Sequence, residues 1–215
     1  MTKQEVRREA TRSAILAAAQ HRFGTLGYQH VTVDDIAADA SVAKGAIYHH
    51  FSTKADLFEA VLQAVASQIL ADVQAASTQQ SDILAAIFAG NRAFFASCAN
   101  PQFAQIFLKD GPSVLGWNRW REIDGSHFGG MVRNGLFAAI GVGVLAKRPI
   151  NPLTRLILGA ITEAAIDCAN SEDFAATAEG YVEGLEAIVN GLRPTPSPHQ
   201  PLVIAPDQVA QPAEH

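Results

Sequence analysis

Apolar residues along this chain recur at i, i+3, i+4 and i+7, the spacing of one helical face, and no convincing strand alternation interrupts them. Ile15, Leu16, Ala19 and Phe23 predict a first helix over about residues 9–24. Leu26-Gly27-Tyr28 ends it, Gly27 supplying the positive φ that a C-terminal cap prefers. The eight residues before it read as a basic arm. Val33, Ile36, Ala37 and Ala40 predict a short helix from Thr32 to Ala40, with Thr32 as cap and Asp35 completing a capping-box-like pair. After a tight turn, a third helix starts near Val42 or Ala43, buries Ala46 or Ile47, and runs out at Tyr48 and Phe51. Ser52-Thr53 opens a fourth, and Leu57, Val61, Leu62, Val65, Ile69 and Val73 carry its stripe to about Gln74.

The second half repeats the helical pattern with more aromatic residues. A polar break over Ala75–Ser81 precedes a helix from Asp82 to Cys98, striped by Leu84, Ile87, Phe88, Asn91, Phe94, Phe95 and Cys98. Asn100-Pro101 starts a short helix with Phe103, Ile106 and Phe107, which Asp110-Gly111-Pro112 should break. Ser113 then caps a long helix to about Phe137, carrying Trp117, Trp120, Ile123, Asp124, His127 and Met131 on one face. A loop through Pro152 separates it from a helix reaching Ala169 that is apolar on most sides. The last helix, about Glu172–Leu192, has a core stripe and a second stripe of small residues, including Gly180, Gly184 and Ala187. Each interior Gly costs roughly 1 kcal/mol relative to Ala, so the pair at i, i+4 makes sense if another backbone approaches there. That backbone belongs either to the same subunit or, the reading favoured here, to a second one. Residues 193–215 are Pro-rich and expected to be disordered.

At 215 residues and 48% hydrophobic, the chain can bury a sizeable core. The net charge of −5 argues weakly against a nucleic-acid binder, but its distribution matters more. Residues 1–56 carry seven Lys/Arg against six Asp/Glu, the remainder nine against fifteen. Lys3, Arg7, Arg8, Arg12, Lys44 and Lys54 supply the positive charge. The polar start is no signal peptide, and the longest uncharged run, Ala93–Leu108, is too short and too broken to span a bilayer. A soluble cytoplasmic protein without membrane contact is expected. Cys98 and Cys168 lack any CxxC spacing and read as buried free thiols. His49 and His50 point about 100° apart on a helix and make no metal site. No cofactor is implied.

Candidate chemistry gathers on the third helix, where Lys44, Gly45, Tyr48, His49 and His50 stand between its apolar residues. These groups hydrogen-bond phosphate oxygens and base edges, as a helix lying in a DNA major groove requires. A solvated surface helix gives the same spacing. With Phe23, Gly27, Tyr28, Val31 and Thr32 upstream and Lys54 and Leu57 downstream, residues 12–58 resemble the N-terminal domain of the TetR family of transcriptional regulators. Two positions depart from the family pattern. Ser41 stands where a turn Gly is usual, at a cost of roughly 1–2 kcal/mol that capping of the third helix could partly recover. Ala43 stands where a Ser or Thr often caps.

The resemblance implies an all-α protein: a three-helix DNA-binding domain over 1–56, with its helix-turn-helix at 32–51, then a helical ligand-binding and dimerisation domain over 57–192. It implies a homodimeric regulator, read as a repressor, that leaves a palindromic double-stranded operator when a small-molecule effector binds. Lys44, Gly45 and Ala46 would approach bases, Thr32, Tyr48, His50 and Lys54 would hold phosphates, and His49 could do either. The effector cavity is expected among Phe88, Asn91, Phe95, Phe103, Phe107, Trp117, Trp120 and His127, which favours an apolar or aromatic ligand. Asn91 and His127 equally suit structural hydrogen bonds. Gly180, Gly184 and Ala187 mark the dimer interface. Two other readings are weighed against this one: a helical scaffold that has lost DNA binding, and a small enzyme using Cys98, Asp124 and His127, which have no motif around them.

Overall fold

The first helix begins earlier than its apolar stripe requires, because Thr2 caps it. The Thr2 hydroxyl accepts the Glu5 N–H at 3.2 Å, and the Glu5 carboxylate accepts the Thr2 N–H at 2.6 Å. In this computed structural model, which describes residues 2–195, α1 therefore spans Lys3–Leu26, and the expected basic arm is helical from Lys3 onward. Gly27, at φ +80°, ends the helix with its N–H on Phe23 O. A single turn, Tyr28–His30, leads into α2 (Val33–Asp39) and α3 (Lys44–His50). Next, α4 (Lys54–Thr78) opens on a Thr53–Asp56 capping box, and Asp82 caps α5 (Ile83–Cys98).

The break expected at Asp110-Gly111-Pro112 is absent. Residues 101–115 form one helix, α6, whose middle, Ala104–Asp110, runs in the wider π register. Pro112 has no N–H to donate and its ring crowds the preceding turn; the widened turn makes room for it. The chain turns instead at Gly116, φ +77°, so the long helix α7, residues 117–141, does not start at Ser113. The Ser113 hydroxyl donates back to Asp110 O at 2.9 Å. A second π segment, Gly125–Gly129, lies inside α7. Two antiparallel helices complete the fold, α8 (Ile150–Asn170) and α9 (Phe174–Asn190). No strand occurs among the described residues. The tail expected over 193–215 lies, from residue 196, outside them.

Packing is organised around α4. Phe58 takes Phe23 and Tyr28 edge-on, at ring separations of 5.3 and 5.2 Å. From there one buried cluster runs from Ile15, Ile36 and Ile47 through Leu62 and Ile69 to Phe107, Trp120 and Leu185. The domain boundary expected at residue 56 thus falls in the first turn of a helix that serves both halves. Gly24 lets α1 lie against α6, since a Cβ there would stand 2.5 Å from the Gln102 Cβ. Paired carboxylates and guanidinia, Arg22–Asp39 and Arg119–Glu59, tie α1 to α2 and α7 to α4. Both cysteines are free and buried, and burial pushes the Cys98 thiol far up. No single described helix is long and apolar enough to cross a membrane.

Candidate nucleic-acid interface and effector cavity

The turn between α2 and α3 hinges on Ser41, which adopts φ +53° without the freedom of a glycine. Its hydroxyl recovers nothing: the N-cap of α3 is Ala43, no side chain caps that helix, and the expected capping by Ser41 does not occur. Of the α3 residues, Ile47 is buried against the α1–α2 core, which settles the choice between it and Ala46. Lys44, Gly45, Tyr48 and His49 are exposed on the opposite side, while Ala46 and His50 are half-buried. A Cβ on Gly45 would meet nothing within 4 Å, so nothing among the described residues requires glycine there.

Several candidate DNA contacts, to bases and to phosphates, are already engaged. Lys44 Nζ lies 2.8 Å from Asp34 Oδ2, and that hydrogen bond raises its pKa. The Thr32 N–H and hydroxyl both donate to Asp35 Oδ2, at 3.0 and 2.6 Å, which lowers the Asp35 pKa. Lys54 Nζ donates to Tyr28 O at 2.6 Å and sits 4.0 Å from the centre of the Tyr28 ring. Burial lowers the Lys54 pKa. Lys54 therefore fastens the start of α4 to the turn after α1, a structural duty that its place at a helix N-terminus did not reveal.

Two basic residues join α3 that the sequence pattern shows only as part of the general positive supply. Arg8 and Arg12, four apart on α1, stand close enough to His50 to oppose its protonation, adding to burial, which lowers its pKa most. Arg12 also lies over the Phe51 ring, 5.5 Å from its centre. The i, i+4 spacing is the available signal; assigning residues 1–8 to an arm conceals it.

In the second half, α4, α5, α7, α8 and α9 enclose a cavity of about 380 Å³. Its wall is mainly aliphatic and aromatic, with Phe88, Asn91 and His127 among the lining residues as expected. Five other expected residues are elsewhere. Phe95, Phe103, Phe107 and Trp120 are buried in the core, where Trp120 Nε1 donates to Phe107 O at 2.7 Å, and Trp117 is half-exposed at the start of α7. The expected stripe on α7 assumed a uniform 3.6-residue period, and the π segment over Gly125–Gly129 rotates the residues after it. Phe94, Phe128 and Met131 take up the wall instead. His127 is engaged on both nitrogens, with Nδ1 2.9 Å from Ile123 O and Nε2 3.4 Å from the Ser67 hydroxyl. Asn91 Oδ1 is buried with no hydrogen-bond partner. Glu186, on α9, is the acidic residue in the wall, and no sequence pattern pointed to it.

The two parts meet at Tyr28. Asp110, at the end of the π segment of α6, accepts the Tyr28 N–H at 2.7 Å, while Lys54 takes the Tyr28 carbonyl. On the far side of the molecule, Gly180, Gly184 and Ala187 are exposed on α9, and a Cβ on either glycine would meet nothing. Among the described residues, no backbone packs there. Ile188 and Tyr181 on α9 and Leu156 on α8 are exposed too, at 53%, 38% and 71%.

Comparison with known proteins agrees with this geometry. The family model of bacterial regulatory proteins of the tetR family matches residues 15–61, and that of the tetracyclin repressor-like C-terminal domain matches residues 84–192. The HTH-type transcriptional activator FasR of Mycolicibacterium smegmatis is 35% identical over 88 residues, which cover 41% of this chain and 40% of that relative's own length. The crystal structure of a TetR-family transcriptional regulator from Pectobacterium atrosepticum superposes with a TM-score of 0.79 at 31% identity, over 91% of this chain and 100% of that one. RolR, in complex with the ligand resorcinol, shares the fold with a TM-score of 0.68 at 16% identity, over 86% of this chain and 90% of that one.

Proposed function

The chain belongs to the TetR family of transcriptional regulators, whose members are not enzymes, and from that premise we propose a cytoplasmic, homodimeric repressor that a small apolar or aromatic effector releases from a palindromic operator. The observation that carries the DNA-binding part is α3: its exposed face holds Lys44, Gly45, Tyr48 and His49, and at Gly45 nothing stands above the backbone. Gly45 and Ala46 let the helix approach base edges closely. Lys44 reaches toward the bases beside them, and Tyr48, with Arg8 and Arg12 from α1, contacts phosphates, with His49 and His50 alongside. Thr32 and Lys54 act mainly through the cap and the Tyr28 turn that hold α2 and α3 in place. Two-fold symmetry sets the two α3 helices about one DNA turn apart.

Dimerisation proceeds through α8 and α9. Open glycines at 180 and 184 next to exposed Tyr181, Ile188 and Leu156 support a paired four-helix interface, for which a lone subunit has no use. Effector binding is supported by the largely apolar cavity beneath α4, and RolR's complex with resorcinol is an instance of a small aromatic ligand on this fold. An effector releases DNA only by binding the DNA-incompetent arrangement more tightly.

A gel-shift with DNA upstream of the protein's own gene tests the reading. The wild type shifts it, with affinity falling steeply as salt rises, and the Lys44→Ala, Tyr48→Ala double variant loses at least tenfold in affinity. Undiminished binding by that variant would move the DNA contacts off Lys44 and Tyr48, whereas no shift by the wild type would favour a scaffold without DNA binding. A reporter gene behind the same DNA should rise when the chain is deleted; a fall would make it an activator, as FasR is named.

A further inference from the structure

The polar atoms of the cavity are unequally supplied with partners. Ser77 donates its hydroxyl proton to Ala86 O at 3.1 Å, and His127 donates Nδ1–H to Ile123 O at 2.9 Å. Gln74 and Asn134 line the cavity but are not buried, so water serves their amides. Two buried atoms remain without a hydrogen bond, Asn91 Oδ1 and Glu186 Oε1, and both are acceptors. Arg92 NH2 lies 2.7 Å from Glu186 Oε1, an ion-pair distance without hydrogen-bond direction, and its side chain is 61% exposed and outside the cavity wall. The wall itself contains no Lys or Arg.

A buried acceptor without a donor is costly, and the cost falls when a ligand brings the missing proton. An anion placed there would face a carboxylate and an amide oxygen, and the Arg92 guanidinium paired with that carboxylate lies outside the wall, where it cannot reach the anion's head directly. The geometry points to an effector whose head is an N–H or O–H donor, a hydroxyl or an ammonium, directed at Asn91 Oδ1 and Glu186 Oε1, on an apolar body small enough for about 380 Å³. Carboxylate-headed ligands of the same size are disfavoured. This inference rests on the effector reading above and adds the chemistry of the head to it.

Four probes with one body separate the two ideas: butylbenzene, 4-phenylbutanol, 4-phenylbutylamine and 4-phenylbutyrate, titrated calorimetrically into the full chain at neutral pH. Butylbenzene reports the cavity alone. Binding of the alcohol and the amine at least tenfold tighter than the carboxylate supports the donor head. In Glu186→Gln the amine should lose that advantage over the carboxylate, and in Asn91→Leu the alcohol should fall to the affinity of butylbenzene, with circular dichroism verifying that both variants are folded. Equal or tighter binding of the carboxylate overturns the donor head while leaving the cavity reading intact. The donor head is likewise overturned if both variants keep the wild-type order of affinities. If none of the four binds, butylbenzene included, the cavity reading falls and the head assignment with it.

Discussion

Gly45 separates folding from recognition more cleanly than any other residue on α3. Space above it is open, so Gly45→Ala should gain up to about 1 kcal/mol in stability from helix propensity. The same methyl group should weaken operator binding at least tenfold if the helix backbone lies against the bases. Thermal denaturation and gel-shift on one preparation check both signs. Asp124 offers a test by pH. It is fully buried on α7, 2.9 Å from Arg121 NH1, and burial outweighs that guanidinium to push its pKa from 3.8 up to about 6. The folded state then holds a proton that the unfolded chain has released, so stability falls as pH rises from about 4 to about 6, by roughly 2–3 kcal/mol. Asp124→Asn should flatten that fall, as read from urea midpoints at pH 4, 5, 6 and 7.

Between elements, two joints matter: the α2–α3 turn and the contact of α6 with Tyr28. At the turn, Ser41 carries a left-handed backbone penalty and its side chain caps nothing, so Ser41→Gly should stabilise the protein by about 0.5–1 kcal/mol, the gain being partly offset by glycine's entropy. A rise in melting temperature measures it. At the other joint, Asp110 links the cavity half to the DNA-binding half through a single backbone N–H. Asp110→Ala should cost about 1 kcal/mol and leave DNA binding largely intact, while reducing the effector's power to release DNA. Gel-shifts with and without effector compare the two. The turn was legible from spacing, because the Thr32–Asp35 pair and the stripe of Val33, Ile36, Ala37 and Ala40 are local signals, although the cap expected at Ser41 was not found. The Asp110 contact was not, since it joins residues 82 apart through a π turn that no periodicity announces.

For the whole molecule, the decisive quantity in the proposed dimer is the separation of its two α3 helices. Gly184→Arg places a long charged side chain on the open stripe of α9, where a lone subunit accommodates it freely. Light scattering should then show a folded monomer, with circular dichroism unchanged and operator affinity down by two orders of magnitude or more. An unchanged dimer would move the interface off α9.

The sequence by itself determined the order of the helices, the Thr32–Asp35 and Thr53–Asp56 helix starts and the face that α3 presents, because each follows from neighbours within about four residues, but not the caps expected at Ser41 and Ser113 or the break expected at Asp110-Gly111-Pro112. It also marked Phe88, Asn91 and His127 as cavity residues, and Gly180 and Gly184 as a stripe open to another backbone. Only the tertiary structure decided that Phe95, Phe103, Phe107 and Trp120 fill the core, that Lys54 is bound to Tyr28, and that Glu186 faces the cavity. An apolar stripe states that a residue is buried but not against what. That depends on how five helices pack and where two π turns rotate them, which is settled by contacts between distant segments.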